Sequence, residues 1–247
     1  MKRLLSAAAT LALLTSAPAA DFPEPTGAAF AHTFPYSTIG QLLFANGRSY
    51  YSGSGTVVRP SSVLTAAHNL WDADHGFSTD LLFRRGLYGT TKLSSQYASR
   101  IYVLAGYREN ARRYSGESVR AFSYDLGALL FSKPVAGGAY AGWWANPALL
   151  KRGAASMALG YGGEYHTGDD LLSVSSSAGY APVFGGFYEN DALYFEAGMS
   201  GGPVFGEDSD GKLFVAGVVV ASSVEPLTGG IRILNSTAAA FIRTYLK

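Results

Sequence analysis

From residue 36 onward the chain reads as short apolar or alternating runs cut by turn residues. The runs fall at 38–44, 50–58, 63–66, 101–104, 125–131, 157–161, 171–174, 193–195 and 213–221. Between them stand Asn46-Gly47, Gly137-Gly138, Gly162-Gly163, Gly185-Gly186, Asp210-Gly211 and Gly229-Gly230. Many short strands with Gly-rich turns predict an all-β sandwich or barrel, and no strand–helix alternation points to a parallel sheet. One helix is predicted at the end, where Asn235 or Ser236 can cap residues 237–247 and Ala238, Phe241, Ile242 and Tyr245 share a face. Residues 133–147, rich in Gly, Ala and Pro, can link two β-domains.

The N-terminus breaks this pattern. Lys2 and Arg3 precede an uncharged, mostly apolar run at 4–15, and Ala17-Pro18-Ala19 supplies a small-residue cleavage site. This predicts an export signal removed after Ala19. The run is shorter than the ~20 residues a membrane span needs, so no membrane association is expected after cleavage. Pro23, Pro25 and Pro35 make residues 20–35 an extended arm or a short pro-segment. Composition narrows the reading further. At 48% hydrophobic and 15% charged, the chain can bury a sizeable core. A formal charge of +1 leaves no polyanion footprint, so nucleic acid is not an expected partner. The absence of cysteine excludes disulfides, thiolate catalysis and Cys-ligated metal sites, so an exported protein of this kind rests on its core alone.

Three segments carry chemistry. They are Ser54-Gly55-Thr56-Val57-Val58 followed by Val63-Leu64-Thr65-Ala66-Ala67-His68, then Tyr124-Asp125-Leu126-Gly127-Ala128, then Gly198-Met199-Ser200-Gly201-Gly202-Pro203-Val204. With these the chain resembles the trypsin/chymotrypsin-like serine peptidase superfamily, and is most similar to its bacterial, disulfide-free branch that includes the glutamyl endopeptidases. The resemblance runs from about Ile39 to the C-terminal helix. It implies two antiparallel six-stranded β-barrels and a C-terminal helix, with the site in the cleft between barrels. The segments are then an arm at 20–35, a first barrel at 36–133, a linker at 134–147, a second barrel at 148–235 and a helix at 236–247.

The residue chemistry reaches the same site separately. A serine hydroxyl needs a base to take its proton, usually a His held in the right tautomer by an Asp. Asp125 lies in an apolar run, where an unpaired carboxylate is costly, and His68 is the natural partner. Chain order discriminates among serine hydrolases. Gly198-Met199-Ser200-Gly201-Gly202 also fits the nucleophile elbow of α/β-hydrolases, but that fold needs a His after the serine. His32, His68, His75 and His166 all precede Ser200, so His68, Asp125, Ser200 is the order that works. By resemblance, the amides of Gly198 and Ser200 form the oxyanion hole, and Tyr194 and Val220 line the substrate pocket.

The expected function is a secreted or periplasmic serine endopeptidase, monomeric, acting on protein or peptide substrates with no cofactor and no metal. The alternative is a catalytically silent binding module on the same scaffold. Met199 stands where animal trypsin-like enzymes have the Asp that pairs with a new N-terminus, so that activation mechanism is not carried over, and Glu196 is the first suspect should an N-terminal ion pair exist. Tyr194 at the pocket floor gives no acid for Lys or Arg, and Val218-Val219-Val220 gives none of the glutamyl branch's pocket His. The remaining polar clusters read as ordinary surface. Asp72, Asp74 and His75 form a solvated loop, residues 207–211 a turn, Arg84-Arg85 and Arg112-Arg113 solvated charges, and Trp143-Trp144 interdomain packing.

Overall fold

Two antiparallel sheets dominate the computed structural model, which describes residues 21–246. The expected export signal, residues 1–19, lies outside the described residues. In chain order the first half holds β1 (Glu24–Pro25), β2 (Ile39–Asn46), β3 (Ser49–Arg59), β4 (Ser62–Thr65), β5 (Trp71–Asp72), β6 (Gly76–Phe77), β7 (Thr79–Arg85), β8 (Ser94–Tyr97), β9 (Arg100–Val103), helices α1 (Tyr107–Tyr114) and α2 (Val119–Phe122), and β10 (Gly127–Leu130). The second half holds β11 (Ser156–Gly160), β12 (Leu172–Ser176), β13 (Ala181–Phe184), β14 (Phe187–Asn190), β15 (Pro203–Glu207), β16 (Leu213–Val224), β17 (Leu227–Ile233) and helix α3 (Ser236–Tyr245).

The first sheet runs β8-β7-β2-β3-β4-β10-β9 and the second β1-β12-β11-β15-β16-β17-β14-β13, both with antiparallel neighbours. Both sheets curl, and the fold is the all-β pair of half-barrels that the resemblance implies. The strand counts are seven and eight rather than six and six. Part of the excess is β1, which the N-terminal arm lays on the edge of β12 in the second sheet, with Glu24 opposite Ser173.

Three local expectations change. Residues 79–85 form a strand because Leu81, Phe83 and Arg85 alternate inward; Arg85 is buried and donates to the Ser37 carbonyl, and Arg84 donates to the Gln41 side chain, so neither is a free surface charge. Gly229-Gly230 is not a break but lies within β17. A Cβ on Gly229 would sit 2.9 Å from the Phe195 ring, and one on Gly230 2.7 Å from Phe187, so only glycine admits these rings against the strand. Residues 193–195 form no named strand; the strand there is β14, a few residues earlier.

One apolar cluster crosses between the halves. Ile39, Leu64 and Leu126 of the first half pack with Leu159, Tyr161 and Val218 of the second and with Phe241 and Ile242 of α3. Helix α3 is capped by the Asn235 side chain, which accepts from the Ala238 amide. The linker is stitched to both halves: the Ala141 amide donates to the Val57 carbonyl and the Trp144 amide to the Val215 carbonyl. Trp143 packs on the shared cluster.

The arm is equally integrated. The Asp21 amide donates to the Ala192 carbonyl at 2.9 Å, the Tyr194 amide donates to the Asp21 carbonyl at 3.2 Å, and the rings of Phe22 and Tyr194 lie 5.6 Å apart. A chain starting at Ala28 loses these contacts together with β1. It is expected to be less stable than one starting at Asp21 by at least about 2 kcal/mol, from one aromatic pair and several backbone hydrogen bonds. Urea unfolding of the two chains measures this, and equal midpoints would refute it.

Candidate active site

Strand register brings His68 to Asp125. In the β4–β10 ladder Thr65 lies opposite Gly127. His68, three residues beyond Thr65, and Asp125, two residues before Gly127, therefore overhang the same end of the ladder. Gly127 lets the strands meet there, since a Cβ would stand 2.7 Å from Leu70 Cδ1 and 3.0 Å from the Ala66 carbonyl oxygen. Ala66 is extended, and a single 3-10 turn, Ala67–Asn69, then swings the His68 ring into the cleft. On the other side α2, capped by the Ser118 side chain, delivers the chain into the turn that holds Asp125.

Asp125 is fully buried and both carboxylate oxygens are used. Oδ1 accepts the His68 backbone N–H at 2.9 Å, and Oδ2 lies 2.6 Å from His68 Nδ1. The contact to Nδ1 favours the tautomer with its proton there, leaving Nε2 as the free base. Burial works against charge on the imidazole, but the Asp125 carboxylate, through its field and its hydrogen bond, outweighs it and raises the His68 pKa above the usual 6.5. A second buried charge lies near. Burial brings the Arg232 guanidinium down to about 10 while Asp125 and Tyr124 pull it back up. Arg232 donates to the Ile233 carbonyl and, at 3.3 Å, to Asn235 Oδ1.

Ser200 lies in the same cleft, on the loop entering β15. Gly198 and Gly201 on either side hold left-handed backbone at φ 100° and 88°. Ser54, Thr65 and Asn69 of the first half grip this loop. The Ser54 amide and Asn69 Nδ2 both donate to the Ser200 carbonyl, at 2.7 and 2.9 Å. Ser54 Oγ donates to the Gly198 carbonyl and accepts from the Tyr161 amide, both at 2.8 Å. Thr65 Oγ1 donates to the Ser54 carbonyl and accepts from Asn69 Nδ2.

The same loop aims two amides. The Ala197 carbonyl accepts from the Gly163 amide and the Met199 carbonyl from the Gly202 amide, each at 2.9 Å. In a trans peptide the N–H points opposite its C=O. The Gly198 and Ser200 amides are thereby turned away from these bonds, and among the described residues neither donates to any acceptor. No hydrogen bond joins the His68 ring to the Ser200 hydroxyl in this resting geometry; such bonds commonly tighten only around substrate.

Tyr194 and Val220 both line the cleft, and the Tyr194 hydroxyl bonds the Glu164 carboxylate. Burial, then that bond and the charges of Glu164 and Glu196, raise the Tyr194 pKa, keeping the phenol neutral. Glu196 is committed elsewhere: its Oε1 lies 2.5 Å from His166 Nδ1, and Oε2 accepts the Tyr165 amide. Met199 is fully buried. Asp72 closes its own loop, accepting from the Asp74 and His75 amides and facing the His75 ring at 2.8 Å. Among the described residues no group of three or more His, Asp or Glu side chains stands ready for a metal ion.

A histidine–carboxylate pair and a serine loop face each other across a cleft between two half-barrels. A model of the trypsin-like peptidase domain matches residues 53–217, the greater part of the chain. The chain belongs to the trypsin-like peptidase family. The family is one of peptidases. Among solved structures it is similar to a Glu endopeptidase bound to MPD, at 19% identity and TM-score 0.71, covering 92% of this chain and 96% of that one. It is also similar to the protease Anisep from Arthrobacter nicotinovorans, at 20% identity and TM-score 0.67, covering 84% and 94%. At such identities the likeness shows the fold. An extracellular metalloprotease of Bacillus subtilis is 28% identical over 109 residues, 43% of this chain and 32% of that protein, so the match spans about a third of that relative.

The grip on the serine loop comes from residues to which the sequence assigns no role of their own, although Ser54 and Thr65 lie in the segments that lead to His68 and Asn69 follows it directly. Ser54→Ala strands the Tyr161 amide and frees the Gly198 carbonyl; Asn69→Ala removes the side-chain bond to the Ser200 carbonyl. Each is expected to lower stability by about 1–3 kcal/mol. Because both touch one loop, their effects should be non-additive. Thermal unfolding of the two single variants and the double variant tests this, and strict additivity would argue against a single clamp.

Proposed function

We propose that this peptidase is exported, acts as a monomer, and hydrolyses peptide bonds through Ser200, His68 and Asp125. The reading is carried by the buried Asp125 bound to the backbone and ring of His68, in the cleft that holds Ser200 and two unengaged amides. His68 Nε2 takes the Ser200 proton as Oγ attacks the scissile carbonyl carbon. The Gly198 and Ser200 amides receive the oxyanion, and Asp125 stabilises the imidazolium. The C–N bond breaks, His68 returns the proton to the leaving amine, and an acyl group remains on Ser200. Water then repeats the sequence and releases the acid. Tyr194 and Val220 border the bound peptide. Export is supported by the residue pattern at 1–19, and no helix among the described residues is long and apolar enough to cross a membrane.

Ser200→Ala, His68→Ala and Asp125→Asn should each lower kcat/KM by about 10⁴-fold; Ser200→Ala should leave the unfolding midpoint in place, whereas His68→Ala, which strands a buried carboxylate oxygen, should lower it. A fluorophosphonate probe should label Ser200 in the native protein and fail on Ser200→Ala and His68→Ala. Absence of labelling in the native chain would favour the silent binding module.

His68 must be neutral to act as base, and its pKa is raised. Activity should therefore be low below pH 6.5 and rise through an ionisation above that value. The stability linkage has the opposite sign: the charged pair with Asp125 stabilises the fold fully below about pH 6.5 and ceases to do so as pH climbs through the raised value. An activity profile rising at or below pH 6, with chemistry rate-limiting, would contradict this.

A further inference from the structure

The two unengaged amides beside the serine are aimed by different parts of the chain. The Ser200 N–H belongs to the Met199 peptide, whose carbonyl accepts from the Gly202 amide, a bond made within the serine loop itself. The Gly198 N–H belongs to the Ala197 peptide, whose carbonyl accepts from the Gly163 amide at 2.9 Å. Gly163 lies in the connection between β11 and β12, residues 161–171, which forms neither helix nor strand. The direction of the Gly198 amide thus depends on a segment that no ladder fixes.

Local sterics do not supply that direction. Gly198 has no Cβ and sits at φ 100°, so the peptide before it can turn over without a side-chain clash. Residues 162–166 must therefore be held against residues 196–198, and one side chain spans the two. Glu196 is buried, with 2% of its side chain exposed. Its Oε1 lies 2.5 Å from His166 Nδ1, its Oε2 accepts the Tyr165 amide at 3.3 Å, and its own carbonyl accepts from the Met199 amide at 3.0 Å. The carboxylate passes over Gly162, where a Cβ would fall 2.6 Å from Oε2. Gly198 is itself pressed on this segment, since a Cβ there would fall 2.4 Å from the Tyr161 carbonyl oxygen.

A carboxylate this far from water is strongly destabilised if it loses its partners, so the bonds to His166 and Tyr165 tie the two segments firmly. The Glu164 carboxylate, which takes the Tyr194 hydroxyl and, at 3.5 Å, the Ala197 amide, adds a weaker tie. We infer that Glu196, held by His166, is a positioning residue that keeps the Ala197–Gly198 peptide turned so that the Gly198 N–H faces the cleft. This rests on the proposed mechanism, in which that N–H receives the oxyanion, and extends it to residues outside the triad. The acid nearest the serine loop finds its partner in the β11–β12 connection rather than at a chain terminus.

The test compares the native protein with His166→Ala and with His166→Asn, whose side-chain amide can still donate to Glu196. His166→Ala should lower kcat by about 10- to 100-fold, less than outright loss of an oxyanion donor, with KM within about twofold of the native value. His166→Asn should restore most of the loss. A peptide aldehyde, whose adduct with Ser200 places an oxygen between the two amides, should lose affinity for His166→Ala in parallel with kcat. Uncleaved peptide should bind Ser200→Ala equally with and without His166→Ala. Glu196→Gln/His166→Ala, which leaves no buried charge unpaired, guards against a failure to fold and should show the same loss of kcat. Native kcat in these variants, or a loss carried by KM alone, overturns the assignment. Amide hydrogen exchange reads the same tie without turnover: His166→Ala should lower protection of the Gly163 amide at least about tenfold while the β11 and β15 amides keep theirs. That result in a native protein that hydrolyses nothing would leave the positioning role standing and remove the peptidase reading. Unchanged protection at Gly163 would overturn the positioning role.

Discussion

A carboxylate removed entirely from water must have its oxygens satisfied, and that requirement at Asp125 organises the surrounding structure. An unsatisfied buried carboxylate would cost several kcal/mol. Here one oxygen takes a backbone N–H and the other an imidazole, both from His68. The backbone bond matters as much as the ring bond. It fixes the 3-10 turn at Ala67–Asn69 relative to β10, so the ring cannot drift without stranding the carboxylate. Buried Arg232 adds a compensating charge from the second sheet. The cost of keeping Asp125 dry is thus met by one residue of the first half-barrel, His68, and one strand of the other.

A second constraint follows from dividing the site between two sheets without a disulfide. The apolar cluster shared by the halves resists separation but is tolerant of small sliding, because apolar contact has no direction. Hydrogen bonds do have direction. Ser54 on β3 and Asn69 beside His68 converge on the Ser200 carbonyl, and Ser54 Oγ also reaches Gly198. A shift of one sheet over the other therefore breaks several directional bonds at once. In the proposed mechanism this couples the base on one half to the nucleophile on the other. The close approach explains Gly201, where a Cβ would fall 2.2 Å from both the Ser54 carbonyl oxygen and Thr65 Oγ1.

The all-β class, the terminal helix and the family were legible because local signals agreed with tertiary ones: alternating runs, Asn235 as a cap, and the strings around His68 and Ser200. Other elements were hidden for identifiable reasons. In residues 79–85, Asp80, Arg84 and Arg85 mask an inward alternation, since Arg85 is buried through a hydrogen bond that sequence does not show. Gly229-Gly230 mimics a turn because close packing of rings on a strand demands the same residue as a tight bend. Helix α1, Tyr107–Tyr114, carries a single buried stripe, Tyr107 and Ala111, too narrow to mark a helix among five charged or amide side chains. The hydrogen-bond grip of Ser54, Thr65 and Asn69 uses small polar residues that are common in strands and turns.

Charge in the cleft illustrates why composition and motif together still miss a property of the folded chain. The protein is near neutral, and the residue expected at the pocket floor, Tyr194, carries no charge at neutral pH, so sequence offers neither a basic nor an acidic preference. Folding sorts the charges. Arg84 and Arg85 turn to Gln41 and Ser37, Arg112 stacks on Trp71, and Arg232 is enclosed behind the Asp125 loop, while carboxylates from five separate segments line one cleft. Low-dielectric walls strengthen such a field over what the same charges give in open water. Most of these carboxylates are either tied to a His or Tyr within the protein or left in solvent. Glu189 is neither: it is half-buried on β14, opposite Gly230. Gly230 stays glycine for a separate reason, the Phe187 ring 2.7 Å from where its Cβ would stand.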